Sequence, residues 1–349
     1  MSMSLTTALI NARIVLPPPL GAVWGTLRFA RGRIRSLDQP PAHRDHVVDV
    51  QGRAVYPGLI NAHDHLELNH YPRSKFRPVY ASAHDWGEDF LPRLNEPPYA
   101  DLRKLPLRKA LRIGAEKNRA AGVTTVAHHN PPHRELFRRT FPIQVVRHYG
   151  WAHSLYFTPP DQVVQAFRRT PPHAPFMIHV AEGTDSRAAG ELAQLDRLGA
   201  LAAHTLIVHG VGLRAADRAR MLEVGAGLVW CPSTNRYLLG QTAQVADFAA
   251  AGRLALGSDS RLTADGDLLD ELRAAAATGQ IGPAALFRAV TTDAAALLHL
   301  PDRGALWPGL RADCFIADIP EGDPYAALLA LTPSQIGAVY VGGRLTVRS

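Results

Sequence analysis

The first sixty residues alternate apolar and polar positions in short blocks. ALINARIVL (Ala8–Leu16) is followed by the turn PPPLG, then by TLRFARGRIRSLD and HVVDVQGRAVYPG. A two-residue period broken by Gly and Pro predicts antiparallel strands with one wet face. The other end of the chain has the same texture, GALWPGLRADCFIAD (Gly304–Asp318) and then IGAVYVGGRLTVRS, where Gly342-Gly343 predicts a hairpin turn. Two strand-rich ends around a different middle point to one small β unit made from both termini, residues 1–57 and 303–349.

Residues 58–302 alternate apolar runs with helical patterns. The runs are GLINAH, GVTTVAHH, PIQVVRHYG, SLYF, FMIHVAE, LIVHG, GLVWCPS and RLALGSDS, with helices expected over Leu102–Ala121, Glu191–Leu198 and Asp267–Ala277. Strand alternating with helix predicts a parallel sheet buried on both faces. Eight runs in ~240 residues match an α/β fold of the (β/α)8 TIM-barrel kind in count and size. One interval resists this reading. Between PIQVVRHYG and SLYF only a few residues intervene, whereas a right-handed crossover needs about a dozen, so the third unit is expected to be distorted or one strand is misplaced.

Composition narrows the class. At 349 residues with 46% hydrophobic and 20% charged side chains, the chain is globular, with no apolar stretch near the ~20 residues a bilayer helix needs. The first twenty residues lack a basic start, an apolar block and a small-residue cleavage site, so no signal peptide is expected. Two distant cysteines, Cys231 and Cys314, exclude a disulfide framework and suit the cytoplasm; Cys231 is expected to be buried and inert. The net charge of +7 raises nucleic acid as a partner, but the 38 basic residues are scattered and only four are lysines (75, 104, 109 and 117), so a solvated, ion-paired surface is the better reading.

Several of the sixteen histidines fall where an apolar run stops: His63 and His65 (NAHDHLE), His128 and His129, His179 (MIHVAEG) and His209 (LIVHG), with Asp259 closing LALGSDS. In a barrel, strand C-termini converge on one mouth. On a strand, His63 and His65 face one side and Asp64 the other. Neutral imidazoles with a carboxylate suit a borderline ion such as Zn²⁺.

PGLINAHDHLE resembles the first-strand signature of the amidohydrolase superfamily, and further motifs follow in order. His179-Val-Ala-Glu182 is similar to the H-x-x-E of its deaminase-like branch, His209 to the sixth-strand histidine, and Ser258-Asp259 to the eighth-strand aspartate. CPSTN (Cys231–Asn235) resembles the C-P-x-S-N of chlorohydrolases and guanine or triazine deaminases, and GLRADCFIAD the family's closing stretch. The resemblance implies a metal-bearing barrel with a β-sandwich formed by the two termini. It also implies one divalent ion, zinc before iron or manganese, held by His63, His65, His179 and Asp259. Binuclear relatives bridge two metals with a fourth-strand lysine, and this chain has no lysine beyond Lys117.

By the same resemblance, Glu182, His209 and Asp259 are the catalytic candidates: Glu182 shuttles a proton to substrate nitrogen, His209 hydrogen-bonds the attacking oxygen, and Asp259 takes a proton from water. His128, His129, Asn235, Arg236 and Trp86 are candidate substrate contacts, with Tyr80 in the same long segment as Trp86. Asp64 stands where many relatives carry a small residue, and its carboxylate is expected to support a ligand histidine. The activity expected is hydrolysis of a C–N bond in a small polar molecule, first deamination of an aminated heterocycle. Opening of a cyclic amide and a non-catalytic metal-containing binder are the alternatives. No nucleic-acid or membrane partner is expected, and kinship suggests a homodimer.

Overall fold

Both ends of the chain meet in one eight-stranded sheet. The computed structural model describes residues 6–348. The strands are β1 (Thr7–Val15), β2 (Ala22–Ala30), β3 (Arg33–Ser36), β4 (His46–Asp49) and β5 (Ala54–Pro57), with β14 (Cys314–Ala317), β15 (Ile336–Val341) and β16 (Arg344–Arg348), in the order β16-β15-β14-β5-β1-β2-β3. β1 is antiparallel to β2, and it carries β4 and then β5 in parallel along its other edge. Gly342 and Gly343 form the turn between β15 and β16 with φ of 57° and 72°, a conformation that needs residues tolerant of positive φ. One face of this sheet buries Leu9, Ile14, Leu27, Phe29 and Val55. Tyr56 and Phe315, stacked with centroids 5.1 Å apart, join the core of the middle region instead.

The middle region holds eight parallel strands in two sheets. β6 (Leu59–Asp64), β7 (Val123–His128) and β8 (Gln144–Val145) form one; β9 (Gly150–Ser154), β10 (Phe176–Val180), β11 (Thr205–His209), β12 (Gly227–Trp230) and β13 (Leu254–Leu256) form the other. Every residue of β6, β7, β10, β11, β12 and β13 is buried, which explains why their sequences read as continuous apolar runs. The sheets approach each other beside β13, where Asp259 N donates to His63 O at 3.0 Å.

The awkward interval has a structural cause. The fourth strand is Gly150–Ser154, so the expected run Ser154–Phe157 is misplaced: only Ser154 belongs to the strand, and Leu155–Phe157 turn away from it. β8 pairs with β7, β9 pairs with β10, and no helix separates β8 from β9 among the described residues. The chain thus runs from one sheet directly into the next. Before β8, the crossover carries only the 3-10 turn Arg134–Phe137.

Helix ends follow local chemistry. The helix Leu107–Ala120 starts five residues later than expected because Pro106 sits at its N-cap, and it stops before Gly122 at φ 76°. Ser186–Arg197 starts five residues earlier than expected, capped by the Asp185 carboxylate accepting from Ala188 N at 2.8 Å. The helix Pro324–Ala330 packs back onto the middle region, with the Tyr325 ring 4.9 Å from Phe287, so packing is continuous across residue 303. Among the described residues, no helix is long and apolar enough to cross a membrane.

Candidate metal centre and active site

Three strand ends that meet at the centre close with a non-glycine residue at positive φ: Ala181 (57°) after β10, His209 (73°) at the end of β11 and Asp259 (50°) after β13. Such conformations are uncommon and cluster at functional sites, where the surrounding structure holds them. Here they turn the chain sharply, and the side chains of His179, Glu182, His209 and Asp259 line one cleft.

His63, His65 and His179 bring one ring nitrogen each within 4.8 Å of one another, and one ring nitrogen each of His63 and His209 meets a carboxylate oxygen of Asp259 within the same distance. Hydrogen bonds fix which nitrogens are free. His179 Nδ1 lies 2.7 Å from His153 O and His129 Nε2 3.0 Å from Ala152 O, so both must carry protons. In neutral His129 the other nitrogen, Nδ1, then accepts from His63 Nδ1 at 3.2 Å. The lone pairs of His63 Nε2 and His179 Nε2 are left facing each other at 3.3 Å. That separation is what two nitrogens at about 2.05 Å from a tetrahedral ion require. Burial, aided by the neighbouring imidazoles, pushes His63, His129 and His179 well below the ordinary histidine range, keeping them neutral as ligation demands. His65 adds a buried, unpartnered Nδ1 and sets Nε2 3.7 Å from Asp259 Oδ1. The donor set fits a divalent cation.

Asp259 is buried, which alone would raise its pKa. His65, His209, the Ser260 amide and Thr234 outweigh that and hold it below the usual carboxylate range. Thr234 Oγ1 and Thr263 Oγ1 donate to its Oδ2 at 3.0 and 3.2 Å. Glu182 responds oppositely: burial, with Asp259 and Glu191 nearby, raises it well above the ordinary value, which favours the protonated carboxyl. Its Oε1 lies 3.4 Å from His209 Nε2. Because Asn235 Nδ2 donates to His209 Nδ1 at 3.0 Å, the His209 proton sits on Nε2 and points toward the cleft. Burial lowers the His209 pKa to about 4, so this is a neutral donor.

The segment bearing Glu182 is braced from two sides. Ala83 N donates to Glu182 O (2.9 Å) and Thr184 N to Ala81 O (2.7 Å), zipping it to the start of the helix Ala83–Arg93. Glu191 accepts from Ala181 N at 2.6 Å and faces His84 Nε2 at 3.6 Å. The cleft has a volume of about 560 Å³ and a polar floor; Trp86, Phe90, Leu94, Tyr71, Phe157 and Leu262 make an apolar wall.

Of the expected substrate contacts, only Trp86 lines this cleft. His128 and His129 are fully buried outside it, His129 as a support of His63 and His128 facing Glu67 at 3.7 Å. Strand alternation separates the pair, but His129 is covered by β9 and His128 by the turn Leu66–Leu68. Asn235 is buried behind His209, Arg236 is exposed away from the cleft, and Tyr80 is buried with its hydroxyl on Asp89. Asp64 points away from the histidines, as period two requires, and its carboxylate bonds to none of their rings: its hydrogen bonds go to Asn61, Asn69, Asn118 and Ser258, with an ion pair to Lys117. Cys231 is buried, and burial raises its thiol pKa well above the ordinary value. Sequence reading missed His84, Glu191, Thr234 and Thr263, which lie on helices and loops where no strand period marks them, and His153, which lies on the misplaced strand β9.

The family model of the amidohydrolase family matches residues 161–346. The chain belongs to the amidohydrolase family. It is accordingly a hydrolase acting on carbon–nitrogen bonds. The chain is 26% identical over 370 residues to a 5-methylthioadenosine/S-adenosylhomocysteine deaminase of Natronomonas pharaonis, covering 87% of this chain and 83% of that protein. It is 30% identical over 164 residues to an 8-oxoguanine deaminase of Pseudomonas aeruginosa, covering 43% of this chain and only 36% of the relative. Among solved structures, a zinc-bound adenosine deaminase from Xanthomonas campestris superposes with a TM-score of 0.79 at 19% identity, over 98% of this chain and 92% of that one. A triazine hydrolase variant gives 0.83 at 16%, over 99% and 95%. At such identities these structures establish the fold.

Proposed function

We propose that this amidohydrolase deaminates an aminated heterocycle carrying an apolar substituent, using one divalent ion, zinc, held by His63, His65, His179 and Asp259. The reading treats the two parallel sheets as arcs of one (β/α)8 barrel, residues 58–302. It treats the eight-stranded sheet, residues 1–57 and 303–349, as the β-sandwich beside it. The carrying observation is the pair of lone pairs on His63 and His179 facing each other at 3.3 Å, above a floor that also holds Glu182, its pKa raised by burial, and Asp259, its pKa held low.

A bound ion supplies Lewis acidity that lowers the pKa of water to about 7. Asp259, its second oxygen held by Thr234 and Thr263, receives a proton from the attacking water. His209 Nε2 donates to the oxygen as it bonds to the carbon bearing the amino group. Glu182 gives its proton to the adjacent ring nitrogen, the proton on Asp259 goes to the departing amino group, and ammonia leaves as the new hydroxyl returns its proton to Glu182 and becomes the oxo group. The net reaction replaces an amino group with an oxo group at the cost of one water. Trp86, Phe90 and their neighbours accept the substituent and exclude bulk solvent.

The test is Glu182→Gln on the metal-loaded protein, assayed for ammonia against aminated purines, pyrimidines and triazines. Metal content should hold while kcat falls by about 10²–10⁴. Full activity in that variant would refute the proton role, and a new carboxylate without ammonia would refute deamination.

A further inference from the structure

The only fully buried lysine among the described residues lies directly behind the metal-binding residues. Lys117 and Asp64 both have 0% side-chain exposure, with Nζ 2.9 Å from Asp64 Oδ2. The two other Lys117 protons reach Ser258 Oγ and Asp259 O, each at 3.1 Å, so all three donors are used. Asp64 is equally saturated: besides the ion pair, Asn118 Nδ2 donates to Oδ2 at 2.6 Å and Asn69 Nδ2 to Oδ1 at 2.8 Å. Asn61, one turn of pleat before His63, donates to Ser258 Oγ (2.7 Å) and accepts from Ser258 N (3.0 Å). The network therefore ties the end of β6 to the segment after β13 through a side chain from the helix Leu107–Ala120.

Its position is specific. Asp64 sits between His63 and His65, and the carbonyl that Lys117 binds belongs to Asp259, whose φ of 50° needs holding. A buried ion pair is a poor way to gain stability, since well-packed apolar residues usually serve as well. Its best-attested use is to specify one arrangement. We propose that Lys117 is a positioning residue of the metal centre: through Asp64 and the Asp259 carbonyl it fixes the spacing between the two histidines of β6 and the aspartate. The inference rests on the metal-site reading above.

The experiment uses Co²⁺ as the probe, in the full-length protein, with Lys117→Met and the double variant Asp64→Asn/Lys117→Met. The double variant lacks both charges and removes the destabilisation of an unpaired buried carboxylate, so it should fold where the single one struggles. In either folded variant, Co²⁺ affinity by chelator competition should fall 10–100-fold, the range seen when groups that orient metal ligands are lost. The visible Co²⁺ absorption should change in energy or intensity, and kcat should fall more than KM rises. A folded variant with the wild-type spectrum and affinity overturns the proposal. If neither variant folds by circular dichroism, the pair is a folding requirement and the positioning role is rejected. Should the wild-type protein itself bind no Co²⁺, the metal-site reading fails instead, which separates the two failures.

Discussion

Adding one methyl group at Gly257 tests whether the strand ends are as tightly fitted as their chemistry requires. Gly257 follows β13, and a Cβ built there meets His63 Cβ at 2.5 Å and His63 N and O at 3.0 Å. Ordinary contacts for such an atom begin near 3.4 Å, and the obstructing atoms are backbone and Cβ, which cannot rotate away. In Gly257→Ala the two segments must separate by about 1 Å. Overpacking costs about 1–3 kcal/mol. The separation also stretches the buried bond from Asp259 N to His63 O, now 3.0 Å, worth about 1 kcal/mol more. We expect a loss of about 2–4 kcal/mol in urea denaturation. Displacing His63 relative to His179 by this amount should lower kcat/KM by about 10²-fold and weaken metal retention on dialysis. Gly190→Ala is the control. Gly190 lies inside the helix Ser186–Arg197 with nothing within 4 Å of its built Cβ, so the same methyl should stabilise by about 0.5–1 kcal/mol. A Gly257→Ala protein with wild-type stability and full metal content would show that the fit between β6 and β13 is loose, and the geometric account of the centre would fall with it.

Much of the fold was written in hydrophobic spacing, because six of the eight central strands are buried along their whole length. The failures came where burial and strand structure part company. Gly150–Ser154 is only partly buried and holds no continuous apolar run, whereas the apolar Leu155–Phe157 beside it is a turn whose Phe157 lines the cleft. The missing helix between β8 and β9 showed itself as a spacing that could not hold a crossover, so the conflict was visible although its resolution was not. The two helix starts missed by five residues were marked by Pro106 and Asp185, whose chemistry outweighs the apolar period used to place them.

In the site, period two did the sorting: His63 and His65 lie with ring centroids 4.8 Å apart while Asp64 lies behind them. What spacing could not supply was the partner of Asp64. Lys117 and Asn118 occupy the buried face of their helix, in register with Ala110, Leu111, Gly114 and Ala115. A charged residue on the apolar face of an amphipathic helix was the available signal. Read with the extra carboxylate between the first two histidines, it would have suggested a buried pair. His129 and Asn235 were found but given the wrong work. Sequence places a polar side chain near a strand end without saying which side of the metal ligands it faces.

Two further outcomes follow from the walls and supports of the cleft. Trp86, stacked on Phe90 at 5.0 Å and tied by Nε1 to Ser74 O at 2.9 Å, forms the apolar wall. In Trp86→Ala the KM for the best substrate should rise about 10–100-fold, with kcat within about threefold, and an unchanged KM would remove the apolar substituent from the proposal. Glu271 gives a pH signature from a carboxyl that is not itself a metal ligand. It is buried and accepts hydrogen bonds from the amide and hydroxyl of Ser233. Burial, only partly offset by those bonds, pushes its pKa up to about 8. The folded state therefore holds this proton more tightly than the unfolded chain, whose glutamates titrate near 4.3. Its contribution to stability is complete below that lower value and is lost progressively as pH rises from there through about 8, a change of at most about 5 kcal/mol. Glutamine cannot ionise, so Glu271→Gln should lose less stability than the wild type between pH 5 and pH 9. Melting curves at several pH values decide it: if the two proteins fall in parallel, the Glu271 carboxyl is already ionised in the fold and burial does not govern it.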